Sequence, residues 1–338
     1  MKLLVTGGAG FIGSNFVHYW ISEHPNDFVV NLDALKYSGN LENLKDIETK
    51  PNYQFVKGDI SNFGVVDNVV KNGIDVIVNF AAQTHVDRSL NSMYEFIESN
   101  VTGVKNLLEA AKKYEIKRFH QISTDEVFGE LPLNSPEKFT PDSPLQPRNE
   151  YAASKAAAEH FVMAYFHTSK LPVTISNCTN NIGPYQYPEK AVPLAVTNFL
   201  EGKKFPLYGS GLYIRDWLYV WDHCHGIDLV LQKGVLGESY LMGSSHKEIT
   251  NLDLLKMILK LMGKGEEFIE HVADRPGHDT KYAVDWTKMK KLGWAPKYSL
   301  EESIKLTIEW YTKNKDWWQK IKSGEYKKYY ESNYGHRI

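Results

Sequence analysis

Lys2-Leu-Leu-Val-Thr6, running straight into Gly7-Gly8-Ala9-Gly10-Phe11-Ile12-Gly13, decides the fold. The apolar run has strand length, and it ends in a glycine-rich turn. From Phe11 to Ile21 the residues Phe11, Ile12, Phe16, Val17 and Tyr19 recur at helical spacing. Gly8-x-Gly10-x-x-Gly13 alone is a weak pattern. Between a strand and a helix it has the context of a dinucleotide-binding turn. Glycine serves there because the turn is tight, the backbone must approach a pyrophosphate, and helix and strand must pack closely. The phosphate then meets free N–H groups at the helix start. The next apolar run, Phe28–Leu32, is closed by Asp33, twenty residues after Gly13. A carboxylate there accepts hydrogen bonds from an adenine ribose and repels a 2′-phosphate, so the turn favours NAD over NADP. Gly58-Asp59-Ile60 is placed to meet the adenine, although its pattern equally suits a turn with Asp59 as a helix cap.

The same grammar continues outward. Tyr53–Val56, Asp75–Phe80, Arg118–Ser123 and Pro172–Ser176 read as strands. Stretches around Val65–Val70, Val101–Lys113 and Tyr151–Ser169 read as the helices between them. This alternation predicts an α/β fold: a Rossmann-type, doubly wound parallel sheet with helices on both faces. After Asn180, Pro and Gly become frequent and the signals shorten, as expected of a smaller C-terminal α/β substrate-binding domain. Leu218–Val220 and Ser239–Met242 look like strands, and the first is expected to return to the main sheet. Leu252–Leu261 and Leu300–Tyr311 are helical by period. The expected division is residues 1–178, with about 215–245, for the dinucleotide, and 179–214 with 246–338 for the substrate.

Composition narrows the class. The 338 residues are 42% hydrophobic, enough for a sizeable core, and the net charge of −2 gives no field for nucleic acid or an anionic membrane. Cys178 and Cys224 make no disulfide framework, and no Cys/His spacing suggests a metal site. No signal-peptide pattern and no membrane-length apolar run is present. The chain reads as a globular cytoplasmic protein. In the Lys-, Trp- and Tyr-rich segment Lys313–Tyr330, the aromatic residues are expected to pack while the lysines stay in water.

Two motifs carry chemistry. Tyr151-Ala-Ala-Ser-Lys155 puts a phenol and an ammonium at i and i+4 on one helix face. A nearby ammonium favours the phenolate, which makes Tyr151 a candidate base for an alcohol proton while hydride leaves for nicotinamide. The ordinary alternative is a surface pair. Ser123-Thr124-Asp125-Glu126 ends the preceding strand, at the side of the sheet where active crevices form. Thr124 is placed to bond the same alcohol. Asp125 and Glu126 can divide acid and base roles if their surroundings separate their pKa values. Its ordinary alternative is a helix N-cap. An extra acid and base suggests an extra proton-transfer step, such as loss of water.

These residues resemble the extended short-chain dehydrogenase/reductase superfamily, and within it the dTDP-glucose 4,6-dehydratases. The resemblance rests on Thr124-Asp125-Glu126, Asn180–Lys190, Ile214-Arg215-Asp216-Trp217, Ala81–Ser89 and Arg275-Pro-Gly-His278, and it runs along essentially the whole chain. It implies a 4-keto-6-deoxy sugar nucleotide as product, formed by C4 oxidation, elimination of water across C5 and C6, and C6 reduction, with NAD as an internal hydride shuttle. Tyr151, Lys155 and Thr124 serve the 4-hydroxyl, Glu126 the C5 proton and Asp125 the 6-hydroxyl. Gly7, Gly10, Phe11, Ile12, Gly13, Asp33, Asp59, Ile60, Ala81 and Ala82, with Tyr151 and Lys155, are implied at the cofactor. His85, Asn180, Glu189, Lys190, Arg215, Arg275 and His278 are implied at the sugar nucleotide. A homodimer paired through the helices at Val101–Lys113 and Tyr151–Ser169, as a four-helix bundle, is also implied; the competing reading is that both helices cover the sheet. Gln83, Ile182 and Leu241 depart from the family's usual Glu, Tyr and Asn, and leave UDP-glucose and UDP-N-acetylglucosamine open as substrates. A sugar-nucleotide 4-epimerase would need Tyr151 and Lys155 but neither acid. A non-catalytic NAD-binding regulator would need none of them.

Overall fold

The computed structural model describes residues 1–84, 93–274 and 278–324. Seven strands form one parallel sheet: β1 (Lys2–Thr6), β2 (Phe28–Asp33), β3 (Tyr53–Lys57), β4 (Val76–Asn79), β5 (Arg118–Thr124), β6 (Val173–Cys178) and, later in the chain, β11 (Glu238–Met242). Their order is β11-β6-β5-β4-β1-β2-β3. The chain winds outward from β1 in one direction and then in the other. The reversal between β1 and β4 opens a crevice at the carboxyl ends of the strands.

Both faces of the sheet are covered, which is why its strands are apolar almost throughout. Side chains alternate between two cores. Leu3, Val5, Val29, Val76 and Val78 pack on one face with Phe16 and Trp20 of helix α1 (Phe11–Glu23) and with Ile227 and Val230 of the Val220–Lys233 helix. Leu4, Val30, Leu32 and Ile77 pack on the other with Leu107, Leu108, Ala158 and Val162. The apolar stripe of the Gly103–Lys113 helix is therefore spent on the sheet.

Between β6 and β11 lie β7 (Asn180–Ile182), β8 (Phe205–Tyr208), β9 (Ile214–Arg215) and β10 (Trp217–Tyr219). The expected return of Leu218–Val220 to the main sheet is corrected: β10 pairs in parallel with β7, in a separate two-stranded sheet. The strand that returns is β11, which pairs with β6 through Tyr240↔Ser176 and its neighbours. Short apolar strands carry no label for their partner. Here Asn180–Ile182, directly after β6, offers the nearer edge. A third core gathers Ile182, Val192, Phe199, Leu254, Ile304 and Trp318. In the Lys315–Ser323 helix, Trp317 and Trp318 are buried and donate to Asn43 Oδ1 and the Tyr311 carbonyl, each at 2.9 Å, while Lys320 reaches out to Glu42 at 2.8 Å. The aromatic residues of this segment pack as expected as far as Gly324; its remainder lies outside the described residues.

Candidate active site

The glycine turn leaves no room for side chains. A Cβ on Gly7, at φ +71°, would lie 2.6 Å from the Ala81 nitrogen, and one on Gly13 would lie 2.3 Å from the Gly7 carbonyl oxygen. Gly10 at the start of α1 brings no side-chain cap, and the residues of that first turn line the crevice. Asp33 closes β2 nearly buried. Its Oδ2 accepts from Ala9 N–H at 2.9 Å and its Oδ1 from Leu35 N–H at 2.7 Å. Burial raises its pKa, and those two N–H groups oppose the rise. Asp33 thus also ties the glycine turn to the loop beyond β2. Asp59 caps no helix, because Asn62 caps the Phe63–Val70 helix. Asp59 instead pairs with Lys36 at 2.9 Å. Burial pushes its pKa up, but the Ser61 N–H and Lys36 outweigh this and hold it below the usual range. Lys36 carried no motif and was not legible in the sequence.

At the centre of the sheet, Thr124 ends β5 and caps the short 3-10 turn Asp125–Phe128 by accepting from Glu126 N–H at 3.3 Å. The ordinary cap reading therefore holds together with the position in the crevice. Asp125 is 2% exposed and accepts from Thr124 Oγ1 at 3.2 Å. Burial drives its pKa well above the carboxylate range, with Glu126 and Asp216 adding to the rise. These surroundings favour the protonated form of Asp125. Glu126 stands beside it and accepts from Asn149 Nδ2 at 3.4 Å.

Asn149 also caps the Glu150–Ser169 helix, accepting from Ala152 N–H at 2.8 Å. That cap fixes the first two turns, which carry Tyr151 and Lys155, both buried. The expected lowering of the Tyr151 pKa by Lys155 is not what the surroundings produce. Burial raises the phenol well above its ordinary value, Glu126, Cys178 and Asp125 add to this, and a hydrogen bond with Thr124 opposes it. Lys155 is turned to the Ile122 carbonyl, 2.6 Å away, and burial lowers its own pKa to about 8.

Later segments of the chain bring in the residues expected at the sugar nucleotide. Lys190 donates to the Thr84 carbonyl at 3.0 Å, and Glu189 is buried next to it. The Oδ1 of Asn180 is buried with no hydrogen-bond partner among the described residues. Arg215 is 6% exposed and held by the carbonyls of Ile214 at 2.8 Å and Asp279 at 2.7 Å, with its guanidinium 4.5 Å over the Tyr282 ring. His278 bonds Asp274 at 2.8 Å and meets Tyr213 edge-on.

One cleft is lined by Gly7, Gly10, Phe11, Ile12, Gly13, Asp33, Asp59, Ile60, Ala81, Ala82, Thr124, Asp125, Glu126, Tyr151, Lys155, Asn180, Glu189, Lys190, Arg215 and His278. The chain thus gathers at one place residues spread over most of its length. His85 and Arg275 lie outside the described residues. Gln83 lines the cleft, its backbone N–H and carbonyl both bonded to Asn100 at 2.8 and 3.0 Å. Leu241 and Ile182, two of the departures from the family's usual residues, turn their side chains into the interior. Both are fully buried in apolar clusters, Leu241 with Val127, Phe128 and Val284, and Ile182 with Val192 and Trp217.

Comparison with known proteins agrees with this geometry. The family described as GDP-mannose 4,6 dehydratase matches residues 4–307. The dTDP-glucose 4,6-dehydratase of Streptomyces niveus is 46% identical over 328 residues, which cover 96% of each chain. The crystal structure of the Bacillus anthracis dTDP-glucose 4,6-dehydratase in complex with NAD superposes with a TM-score of 0.89 at 49% identity, covering 95% of this chain and 99% of that one. The Streptomyces venezuelae dTDP-glucose 4,6-dehydratase, also solved with NAD bound, gives 0.91 at 43% identity, with 95% and 100% covered. With the paired acids, the Tyr–Lys helix and the glycine turn in one cleft, the chain belongs to the dTDP-glucose 4,6-dehydratases within the GDP-mannose 4,6 dehydratase family.

Proposed function

We propose that the protein is an NAD-dependent hydro-lyase converting dTDP-glucose to dTDP-4-keto-6-deoxyglucose. The observation that carries this reading is the pair Asp125 and Glu126 at the end of β5, in one cleft with Tyr151 and Lys155. An oxidoreductase of the alcohol alone has no use for a buried neutral acid beside a second carboxyl. The glycine cradle, the uncapped start of α1 and Asp33 fit a dinucleotide, with Gly7, Gly10, Phe11, Ile12, Gly13, Asp33, Asp59, Ile60, Ala81 and Ala82 holding it. Bound NAD supplies the hydride acceptor for C4 and the hydride donor for C6.

The chain's own residues move the protons. Tyr151 takes the proton of the 4-hydroxyl, with Thr124 bonding the same oxygen and Lys155 supplying positive charge. The 4-keto group acidifies C5–H. Glu126 removes that proton while Asp125, already protonated, gives its proton to the departing 6-hydroxyl, so that water leaves. Reprotonation at C5 completes the reaction with no net redox change. Glu189 and Lys190 face the sugar, and Asn180, Arg215 and His278 hold the diphosphate and nucleoside. Arg215 suits this role because its backbone cradle and Tyr282 fix the guanidinium before substrate arrives. The division into a dinucleotide part, residues 1–178 with about 215–245, and a sugar-nucleotide part is the corresponding reading of the chain. Incubation with dTDP-glucose, UDP-glucose and UDP-N-acetylglucosamine tests the function. The 4-keto-6-deoxy product is expected from dTDP-glucose first, and no such product from any of the three would refute the proposal.

Asp33→Ala is expected to weaken NAD binding by about tenfold or more, the loss of a hydrogen bond to a charged group. Discrimination against NADP should relax with it. Asp33→Asn removes the charge but keeps only one of the two acceptors that the Ala9 and Leu35 N–H groups use. Unchanged titration of both variants with NAD and NADP would remove the assignment.

The same reading places the enzyme in the cytoplasm as a homodimer. Among the described residues no helix is long and apolar enough to cross a membrane. Tyr94 is 69%, Met93 50%, Phe161 42% and Ile97 41% exposed, apolar surface that a second copy would cover. Light scattering should give the dimer mass and Phe161→Asp should shift it to the monomer; a monomeric wild-type protein at micromolar concentration would contradict this.

A further inference from the structure

Glu159 stands one helical turn beyond Lys155 on the same helix and is 5% exposed. A carboxyl is almost never so buried without a partner. Its Oε1 accepts from Ser123 Oγ and, at 2.7 Å, from Asn177 Nδ2. Asn177 Nδ2 also lies 3.1 Å from the Thr124 carbonyl, to which it donates. Ser123 and Asn177 are register partners on β5 and β6. One carboxyl therefore joins the catalytic helix to the ends of the two strands that deliver Thr124, Asp125 and Cys178 to the cleft.

A tie between strands does not need charge. Glutamine would accept the same two hydrogen bonds without the cost of burying a carboxylate. What a charge does here is act on Lys155. Burial lowers the Lys155 pKa to about 8; Glu159 is the leading group that raises it, and Cys178 adds a smaller contribution. The Glu159 carboxyl is itself lifted to about 7 by burial, against the Ser123 and Asn177 hydrogen bonds and the Lys155 charge. The other carboxyls near this floor, Asp125 and Glu126, act on Tyr151.

We propose that Glu159 is a positioning residue whose carboxylate, clamped by Ser123 and Asn177, keeps Lys155 charged one helical turn beyond Tyr151. The inference rests on the oxidation half of the proposed reaction. That half is isolated with dTDP-xylose, which has a 4-hydroxyl but no C6 to dehydrate, and is followed as absorbance of reduced nicotinamide. The rate should fall at alkaline pH as Lys155 loses its proton. In Glu159→Gln that fall should move down by about one pH unit, the scale of one lost charge at this range. Glu159→Asp should restore it in part. Ser123→Ala removes a hydrogen bond that favours the carboxylate. It should shift the profile the same way by less, and it carries the test should the Gln variant not fold. Independently of turnover, infrared titration of the cofactor-loaded protein should show a carboxyl band vanishing near neutral pH, absent in Glu159→Gln. Variants that lower the rate equally at every pH, or a wild-type protein without that band, would overturn the assignment. A wild type that reduces no NAD with either dTDP-xylose or dTDP-glucose would overturn the dehydratase reading itself.

Discussion

Glu126→Gln and Asp125→Asn should each lose about 10²–10⁴-fold in 4-keto-6-deoxy product, the usual cost of removing one positioned acid or base. Each should still reduce NAD when dTDP-glucose is added. Both side chains act after the 4-hydroxyl has been oxidised, so reduced nicotinamide should accumulate. Gln keeps the volume of Glu126 but cannot take the C5 proton. Asn cannot give a proton to the 6-hydroxyl. The two carboxyls are separable on physical grounds, because burial first, then the charge of Glu126 beside it, raises the pKa of Asp125. Glu126→Gln removes that charge as well. Asp125 should then ionise more readily, so the residual activity of this variant should fall off at lower pH than in the wild type. Dehydration by Glu126→Gln at the wild-type rate would show that the acid–base assignment is wrong, and a 4-epimerase would become the better reading.

Tyr151→Phe should fail one step earlier. The ring stays, with its edge contact to Phe96 at 6.4 Å between centroids, so folding and cofactor content should be kept. The phenolic oxygen, which as phenolate accepts the 4-hydroxyl proton, is gone, and both reduced nicotinamide and product should drop by about 10²–10⁴-fold. The sign of the pH dependence follows from the surroundings. Burial first, then Glu126, raises the phenol, so the wild-type oxidation rate should climb with pH through neutrality. It should fall only when Lys155 loses its proton, near its lowered pKa of about 8. NAD reduction by Tyr151→Phe at the wild-type rate would place the base elsewhere.

Much of this site was legible because its signals are local. Gly7 and Gly13 are demanded by backbone atoms within the same strand–turn–helix unit or on the neighbouring strand. Tyr151 and Lys155 share a face by helical period alone. Thr124, Asp125 and Glu126 follow a strand whose carboxyl end must line the crevice of a doubly wound sheet. Ser123 and Asn177 look like any strand residues, and only their pairing across β5 and β6 brings both to Glu159. Leu241 and Ile182 stand out in the sequence only as departures from the family's usual residues, and the fold buries each side chain in a core.

The sequence by itself determined the alternation of strand and helix, the dinucleotide turn, and the residue types that carry the chemistry. Each depends on periodicity or on sterics over a few neighbouring residues. Tertiary structure alone decided that β11 rather than β10 completes the sheet, that Lys155 turns to the Ile122 carbonyl, and that burial favours the protonated form of Asp125. Edge pairing is a competition between distant segments, and protonation follows from how completely the assembled fold removes a side chain from water.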